Sequence, residues 1–552
     1  MVIITGLPAP QRQVISNYKD ATVAFSYVEN AIILPVNDTL NELVGAEQPK
    51  FYAKTVEGAE YWYDSAETSC LGGFSYTQPD TKQTSFFVAF TDNKIYKIED
   101  GVAVMVRDVG SDGFAIEQLS AHQAGSFLDI VIGDETMSAQ TYRYNPVIST
   151  TTLSLELAPG LTTGGSIVTA MEGRHLVFGT GLSSGNGQFS ELDPTSVSLN
   201  FVSGDDNVDP GQLGGGLVDV RAALFFKGMA FVFEESRITV HQIGDPFTSG
   251  TDLVRDNSTI QDQYSVDGFG TSSMHGATIG RGAVFYVDKE NGVFSYSVSG
   301  SGSQLRLGGE ELSASIRETI TRYDLSSAAI VFHPGEDILM VSCASAAGGA
   351  NDTIFYYSFQ TKGWSKDPTK YISQFLWNKE EEQMYGLSSL SGKIIKIFNG
   401  TYYDEYGDPI VVKVRSKYFE GGRRSQLKEY IDSSVIFGIP TATESILFSL
   451  FINSEVISQA ETNIDVTDFT APGMSVISNG TWGGTIMGGG AALNTGALGD
   501  AVNFVQYYNE DLVDDHRRIA IQIESEAKGA LLIFAPEIVT EIVDETDDDF
   551  WQ

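Results

Sequence analysis

Six histidines are the first residues to weigh for chemistry: His122, His175, His241, His275, His333 and His516. A locally built metal site needs His, Cys or carboxylates at short fixed spacing, as in HExxH, where two imidazoles share one helix face. No two of these six are close enough for that, and HExxH is absent, so each reads as an ordinary strand or loop histidine. Nucleophile and phosphate motifs are missing too: there is no GxSxG elbow, no GxxxxGK[ST] loop and no strand-linked GxGxxG. Gly181-Leu182-Ser183-Ser184-Gly185 only approximates an elbow. Asp205-Asp206-Asn207-Val208-Asp209 spaces its oxygens as a calcium loop does, but Pro210 stands where such a loop turns on Gly, and the later bidentate Glu is missing. No metal, cofactor or catalytic residue is expected.

Carboxylates need separate weighing, because a glycosidase works with only two. With 72 Asp and Glu in 552 residues, some fall near each other by chance. The chain has no Ser-x-Asp-x-Gly-x-Thr-Trp repeat, no Trp-Asp strand endings and no Gly-Gly repeat with spaced Tyr and Trp. It has five Trp, Trp62, Trp364, Trp377 and Trp482 among them, few for sugar-stacking platforms.

Charge excludes more. Against those 72 acids stand 34 Lys and Arg, for a net charge of −38. Such a chain repels nucleic-acid phosphates rather than holding them by counterion release, and it disfavours an anionic membrane surface. The N-terminal sequence MVIITGLPAPQRQ lacks a basic n-region and a proper apolar stretch, so no signal peptide is expected. The best apolar run, Leu224 to Phe233, carries Lys227 and is too short to span a bilayer, so no membrane anchor is expected either. Cys70 and Cys343 are far apart, and Cys343, in Ile338-Leu339-Met340-Val341-Ser342-Cys343, reads as a buried small residue.

The elements that must position any site are strands. A unit recurs: a strand, a turn rich in Gly, Asp or Asn, and a second strand of aromatic and β-branched residues. Phe86–Phe90 followed by Ile95–Ile98 is one copy, and Leu128–Ile132 followed by Thr141–Tyr144 is another. Further copies begin at His175, Ala222, Gly282, Ala328 and Gln383. Their spacing of roughly 40–60 residues is that of propeller blades, and alternation such as Val293-Phe294-Ser295-Tyr296 puts one face in a core. The expected fold is an all-β β-propeller of six or seven blades over residues 1–400. Leu312, Ile316 and Ile320, behind Glu310-Glu311, predict one amphipathic helix over 310–323. From about Thr401 the strands Ile410–Val414, Val435–Phe437, Ile446–Phe451, Arg518–Ile523 and Ala530–Phe534 predict a β-sandwich-like domain over 401–552. Residues 479–500, with eight Gly in 22 positions, form an apolar insertion in it.

The stretch from Arg174 to Asp324 carries a resemblance. Gly173-Arg174-His175-Leu176-Val177-Phe178 is followed by Phe189-Ser190-Glu191-Leu192-Asp193-Pro194 and an acidic link through Asp209-Pro210-Gly211. Next come Phe231–His241, Gln263–Gly268, the hairpin Ala283–Phe294 and the segment Leu312–Ile320. Later, Ile354–Tyr357 leads to Gly363-Trp364-Ser365, and Arg517–Ile521 enters a closing strand. In pattern and order, over somewhat more than half of the chain, this resembles the tail hub or nozzle family of short-tailed bacteriophages. Those proteins are also called packaged-DNA stabilisation proteins, with tail tubular protein B as a more distant branch. The first 80 residues and residues 460–502 do not match.

The resemblance implies a homo-oligomer, a hexameric ring in the virion tail, assembled in the host cytoplasm. Such a ring sits below portal and head–tail adaptor proteins, contacts tail fibres or spikes, and passes double-stranded DNA without sequence-specific binding. It implies no catalysis. An acidic inner wall would then keep DNA from adhering. A flexible loop could gate such a channel, and Trp482, Ile486, Met487 and Leu493 are the candidate gate residues. Two rivals stand beside this reading: a propeller carbohydrate-active enzyme such as a virion polysaccharide depolymerase, and a monomeric interaction propeller.

Overall fold

Tight turns set the architecture of the computed structural model. Asp100-Gly101, Lys227-Gly228 and Arg281-Gly282 each join two antiparallel strands, with positive φ at both positions. A two-residue hairpin needs this left-handed pair to match the twist of its strands, and Gly adopts it without a Cβ clash. The structure describes residues 11–14, 25–36, 51–156 (apart from 68, 117, 134–139 and 148), 167–178 (apart from 172–173), 188–189, 220–243, 260–299 and 306–398. Beyond these it describes 410–416, 428–440, 445–452, 455–456, 462–465, 474–481, 501–509, 513–516, 519–527, 531–534 and 537–542.

Seven antiparallel sheets follow one another along the chain. Their first strands are Cys70–Thr77, Gln118–Ala124, Ile167–Met171, Val220–Phe226, Ala277–Gly280, Asp324–His333 and Ile372–Asn378, in blades 1 to 7 respectively. These strands lie side by side in order, and that of blade 7 lies beside that of blade 1, so the ring closes. Each sheet has four described strands except blade 3, which has three, and blade 6, which continues into further strands. This is a seven-bladed propeller.

Closure uses an early strand. Ala59–Asp64 pairs with Lys393–Ile397 as the outermost strand of blade 7. Trp62 on that strand meets Phe86 of blade 1 and Tyr385 of blade 7 edge-on, with ring centroids 5.6 and 4.9 Å apart. Phe86, Val88, Tyr385 and Ile394 complete the buried layer between those blades. Each such side chain contributes about 1.5–3 kcal/mol on burial, so the seam is held by apolar packing as well as by strand pairing. The layer between blades 1 and 2 is built alike from Phe87, Ile95, Leu128, Ile130 and Tyr142.

The second, sandwich-like unit takes strands from both ends of the described sequence. One of its sheets runs in the order Gln11–Val14, Glu537–Ile542, Lys428–Pro440, Leu532–Phe534, Phe51–Thr55, Ala31–Pro35. Met474–Thr481, Ala501–Asn509 and Val513–His516 are attached to it. In the other sheet Phe25–Glu29 pairs with Ile410–Ser416, followed by Ile519–Ala527 and Ser445–Ile452. Phe25–Glu29 also makes a parallel bridge to Trp364–Asp367, so blade 6 and the second unit share one sheet. The Asn30 N–H donates to Lys366 O at 2.8 Å, and Thr361 Oγ1 donates to Ile33 O at 3.0 Å.

The division expected at residue 400 is corrected at its first end. The propeller strands run from Ala59 to Ile397, and strands within residues 11–55 belong to the second unit. A strand's local pattern records that one face is buried, not which distant strand it pairs with. The predicted helix over 310–323 is also corrected. Glu310 and Glu311 end the outer strand Arg306–Glu311 of blade 5, and only Ala314–Ile316, as a 3₁₀ turn, and Arg317–Ile320, as one α turn, are helical. The apolar spacing still reports burial: Leu312 and Ile320 lie in one core, with Ile316 packed against it. All five strands expected beyond residue 401 are present, and Cys343 is buried.

Candidate functional site

First strands of propeller blades have one unpaired edge, and these edges converge on the axis. Along the sector made by blades 5, 6, 7 and 1 they line an open pocket of about 430 Å³. That is within the range of small-molecule sites, roughly 300–1,000 Å³. Its wall mixes polar and apolar surface; the apolar share comes from Phe74 of blade 1, Phe375 and Trp377 of blade 7, Ile330 of blade 6, and Met274 just before blade 5, where His275 also lines it.

Polar groups in the wall divide into those already used and those not. Gln374 is used: its Nε2 donates to Gly73 O at 2.6 Å, and its Oε1 accepts from the Gly73 N–H at 2.9 Å. This side chain replaces a missing strand neighbour and ties blade 7 to blade 1. Gly73 permits the close approach, since a Cβ there would sit 3.1 Å from Phe87 O and 3.2 Å from Leu387 Cδ1. Between blades 5 and 6 the Ile330 N–H donates to His275 O at 2.9 Å. Ser75 is not used: its hydroxyl is buried and has no protein partner among the described residues. Lys379 is exposed at the rim and makes no ion pair among the described residues.

His275 borders the cavity with part of its surface while blade walls enclose the rest. Desolvation pushes its pKa down to about 4, so the imidazole is neutral at pH 7. His333, at the outer end of the same strand of blade 6 that carries Ile330, is also pushed to about 4 by desolvation. Its Nδ1 accepts from the Glu336 N–H at 3.1 Å, and its ring lies edge-on to Trp377 and Phe398 at 5.2 and 5.3 Å. Among the described residues nothing acidic lines the pocket. The carboxylate pair that a carbohydrate-active enzyme would require is therefore not found in this wall.

The residues singled out from sequence are scattered. Trp482, Ile486, Met487 and Leu493 lie outside the described residues, as do Asp205 to Asp209. The strands flanking the Gly-rich insertion are described: Met474–Thr481 and Ala501–Asn509 pair with each other, Thr481 opposite Ala501. His122, His175 and His241 lie on strands of blades 2, 3 and 4, and His516 lies in the second unit. Among the described residues no three of His, Cys, Asp and Glu gather as metal ligands. No described helix is long and apolar enough to cross a membrane. Of the cavity residues, sequence reasoning noticed only His275 and Trp377, each as one of a few of its kind. A cavity shared by four blades has no signature at any one of them.

The fold defines a class: a seven-bladed propeller fused through a shared sheet to a second β unit, with an open pocket of mixed polarity along four of its inner strands. No family model and no curated protein matches the chain. Among solved structures it is similar to one described as YCF48 bound to D1 peptide, with a TM-score of 0.38 and 10% identity, over 62% of this chain and 96% of that one.

Proposed function

We propose that the protein is a non-catalytic structural component of a virus particle, the nozzle or hub of a short bacteriophage tail. In this reading six copies form a ring below the portal and adaptor, retain packaged DNA and conduct it during ejection. One observation carries the proposal beyond the sequence resemblance. Blade 6 and the second unit share a continuous sheet through the Trp364–Asp367 and Phe25–Glu29 bridge. A ring wall that bears the pressure of packaged DNA needs units that do not hinge, and a shared sheet resists hinging better than a linker does. The charge of −38 per chain is compatible with a wall that DNA passes without adhering.

Purified protein, alone and with a lysate of particles lacking it, separates this from its rivals. Particle images showing six-fold rings, and restored DNA retention on adding the protein, support the proposal. A strictly monomeric protein that hydrolyses host polysaccharide overturns it.

A further inference from the structure

We propose that the outer edge of blade 1 is a docking site for an extended segment of a partner protein: a short strand of β-branched residues with Lys or Arg on both sides. Val102–Asp108 is the last strand of that blade, and no described strand pairs with its outer side. Val102, Val104 and Met105 are 66%, 44% and 48% exposed. Val102 and Val104 stand opposite Glu99 and Lys97, whose salt bridge lies toward Tyr144 of blade 2. Met105 stands opposite Tyr96, on the side that packs toward blade 7. Apolar side chains therefore flank the open row of N–H and C=O groups on both faces. The register runs without interruption from Val102 to Met105 and shifts only at Val106. Such an edge is a template for one more strand.

Other outer strands are guarded. That of blade 6 is covered by Phe25–Glu29. Those of blades 4, 5 and 7 carry Asp262 and Asp267, Glu310 and Glu311, and Glu60 and Asp64. Charges on an edge oppose a further strand, and Val102–Met105 has none. Charge around the stretch then selects the occupant. From Asp92 to Asp112 the chain carries three cations, Lys94, Lys97 and Arg107, against five acids, Asp92, Glu99, Asp100, Asp108 and Asp112. The cations form ion pairs with Asp92, Glu99 and Asp112, so Asp100 and Asp108 are the excess, one at each end of the open stretch. A segment with basic ends is drawn to both. A second copy of this chain is not: antiparallel self-pairing brings the Asp100 end of each copy to the Asp108 end of the other, and like charges across strands repel. The site is independent of whether the copies form a ring.

The full-length protein is titrated with the capped peptide Lys-Thr-Val-Thr-Val-Thr-Val-Lys, with the same peptide bearing Glu at both ends, and with a third bearing Pro at its two central positions. Calorimetry reads binding, and hydrogen exchange over residues 94–108 reads its place. The Lys-ended peptide should bind saturably and slow exchange in Val102–Met105. The Glu-ended peptide should bind about tenfold more weakly at low salt, with the difference shrinking as salt rises. The Pro peptide should not bind, because Pro removes backbone donors and cannot sit mid-strand. Val102→Lys, which sets an ammonium opposite Glu99 on the exposed edge, should weaken the Lys-ended peptide about tenfold while the circular dichroism spectrum stays as in the parent. If Val102→Lys does not fold, Asp100→Asn takes its place, with a several-fold loss expected for the Lys-ended peptide alone. No saturable binding, equal binding of the Lys-ended and Glu-ended peptides, protection elsewhere in the chain, or an unchanged Val102→Lys overturns the proposal. A dimer of the parent protein that Val102→Lys dissolves makes a second copy the occupant, and overturns it too.

Discussion

Replacing Arg143 by Met should open blade 2 locally without unfolding the rest of the molecule. Arg143 and Asp129 face each other across adjacent strands of that blade, and their side chains are 4% and 0% exposed. The guanidinium grips the carboxylate with two bonds, Nε to Oδ1 at 2.6 Å and Nη2 to Oδ2 at 3.1 Å. It also lies 5.0 Å over the Phe127 ring. Methionine keeps most of the apolar stem, so the loss falls on the buried carboxylate, which gives up both bonds from the guanidinium. Breaking one side of such a pair costs about 3–5 kcal/mol, whereas replacing both sides by apolar residues is often neutral. Asp129→Leu with Arg143→Met should therefore recover most of the loss. Arg143→Lys should fall between, because an ammonium cannot make the two parallel bonds. A chain with two units does not unfold in one step, so a global melting curve would blur the effect. Hydrogen exchange followed by mass spectrometry on peptides spanning 127–144 reads it directly. A loss of 3–5 kcal/mol is about two to four orders of magnitude in exchange rate. If the single variant changes exchange less than about fivefold, or the double variant is no better than the single, the assignment of blade 2 stability to this pair is wrong.

Two further perturbations test other parts of the fold. His333 has its pKa pushed from 6.5 to about 4, so the unfolded chain takes up a proton below pH 6.5 that the fold refuses; stability from this group is full above pH 6.5 and falls by about 3 kcal/mol by pH 4. The stability difference between the parent and His333→Gln, measured by urea titration at pH 7.5 and pH 4.5, should shift against the parent as pH falls, and a pH-independent difference would contradict this. Deletion of residues 1–56 removes the early strands of the second unit but leaves Ala59–Asp64 to close blade 7, whereas deletion of residues 1–64 removes that closure too. Limited proteolysis should cut blade 7 readily only in the longer deletion; equal resistance of blade 7 in both would show that the closing strand is dispensable.

The legible part of the fold was the part written locally. Phe86–Phe90 with Ile95–Ile98, and Leu128–Ile132 with Thr141–Tyr144, announce their hairpins through alternation and through turns that neighbour them in sequence. The sequence pattern indicated six or seven such units, and the sheet order fixes seven. What the residues did not announce was long-range pairing. Ala59–Asp64 has the same look whether it opens the first blade or closes the last, and Ala31–Pro35 the same look in either unit. The segment over 310–323 shows the converse: its spacing reported correctly that Leu312 and Ile320 are buried, but the pairing of Glu310 and Glu311 with Ser295 and Phe294 of blade 5 outweighed weak helical preference. The cavity was illegible for a geometric reason, since Phe74 and Trp377 are separated by some three hundred positions and meet only when the ring closes.

The pairing of Gln11–Val14 with Glu537–Ile542 imposes a timetable on biosynthesis. At about 5–20 residues per second, a ribosome delivers the later strand roughly half a minute to two minutes after the earlier one. During that interval Ala31–Pro35 and Phe51–Thr55 can pair with each other but wait for Leu532–Phe534. A nascent chain therefore carries an unsatisfied apolar edge for most of its synthesis, an opening for chaperones and for unwanted pairing between neighbouring chains on one message. The same arrangement acts as quality control. A product released before Leu532–Phe534 leaves the edge of Phe51–Thr55 unpaired, so it stays recognisable to proteases as unfinished.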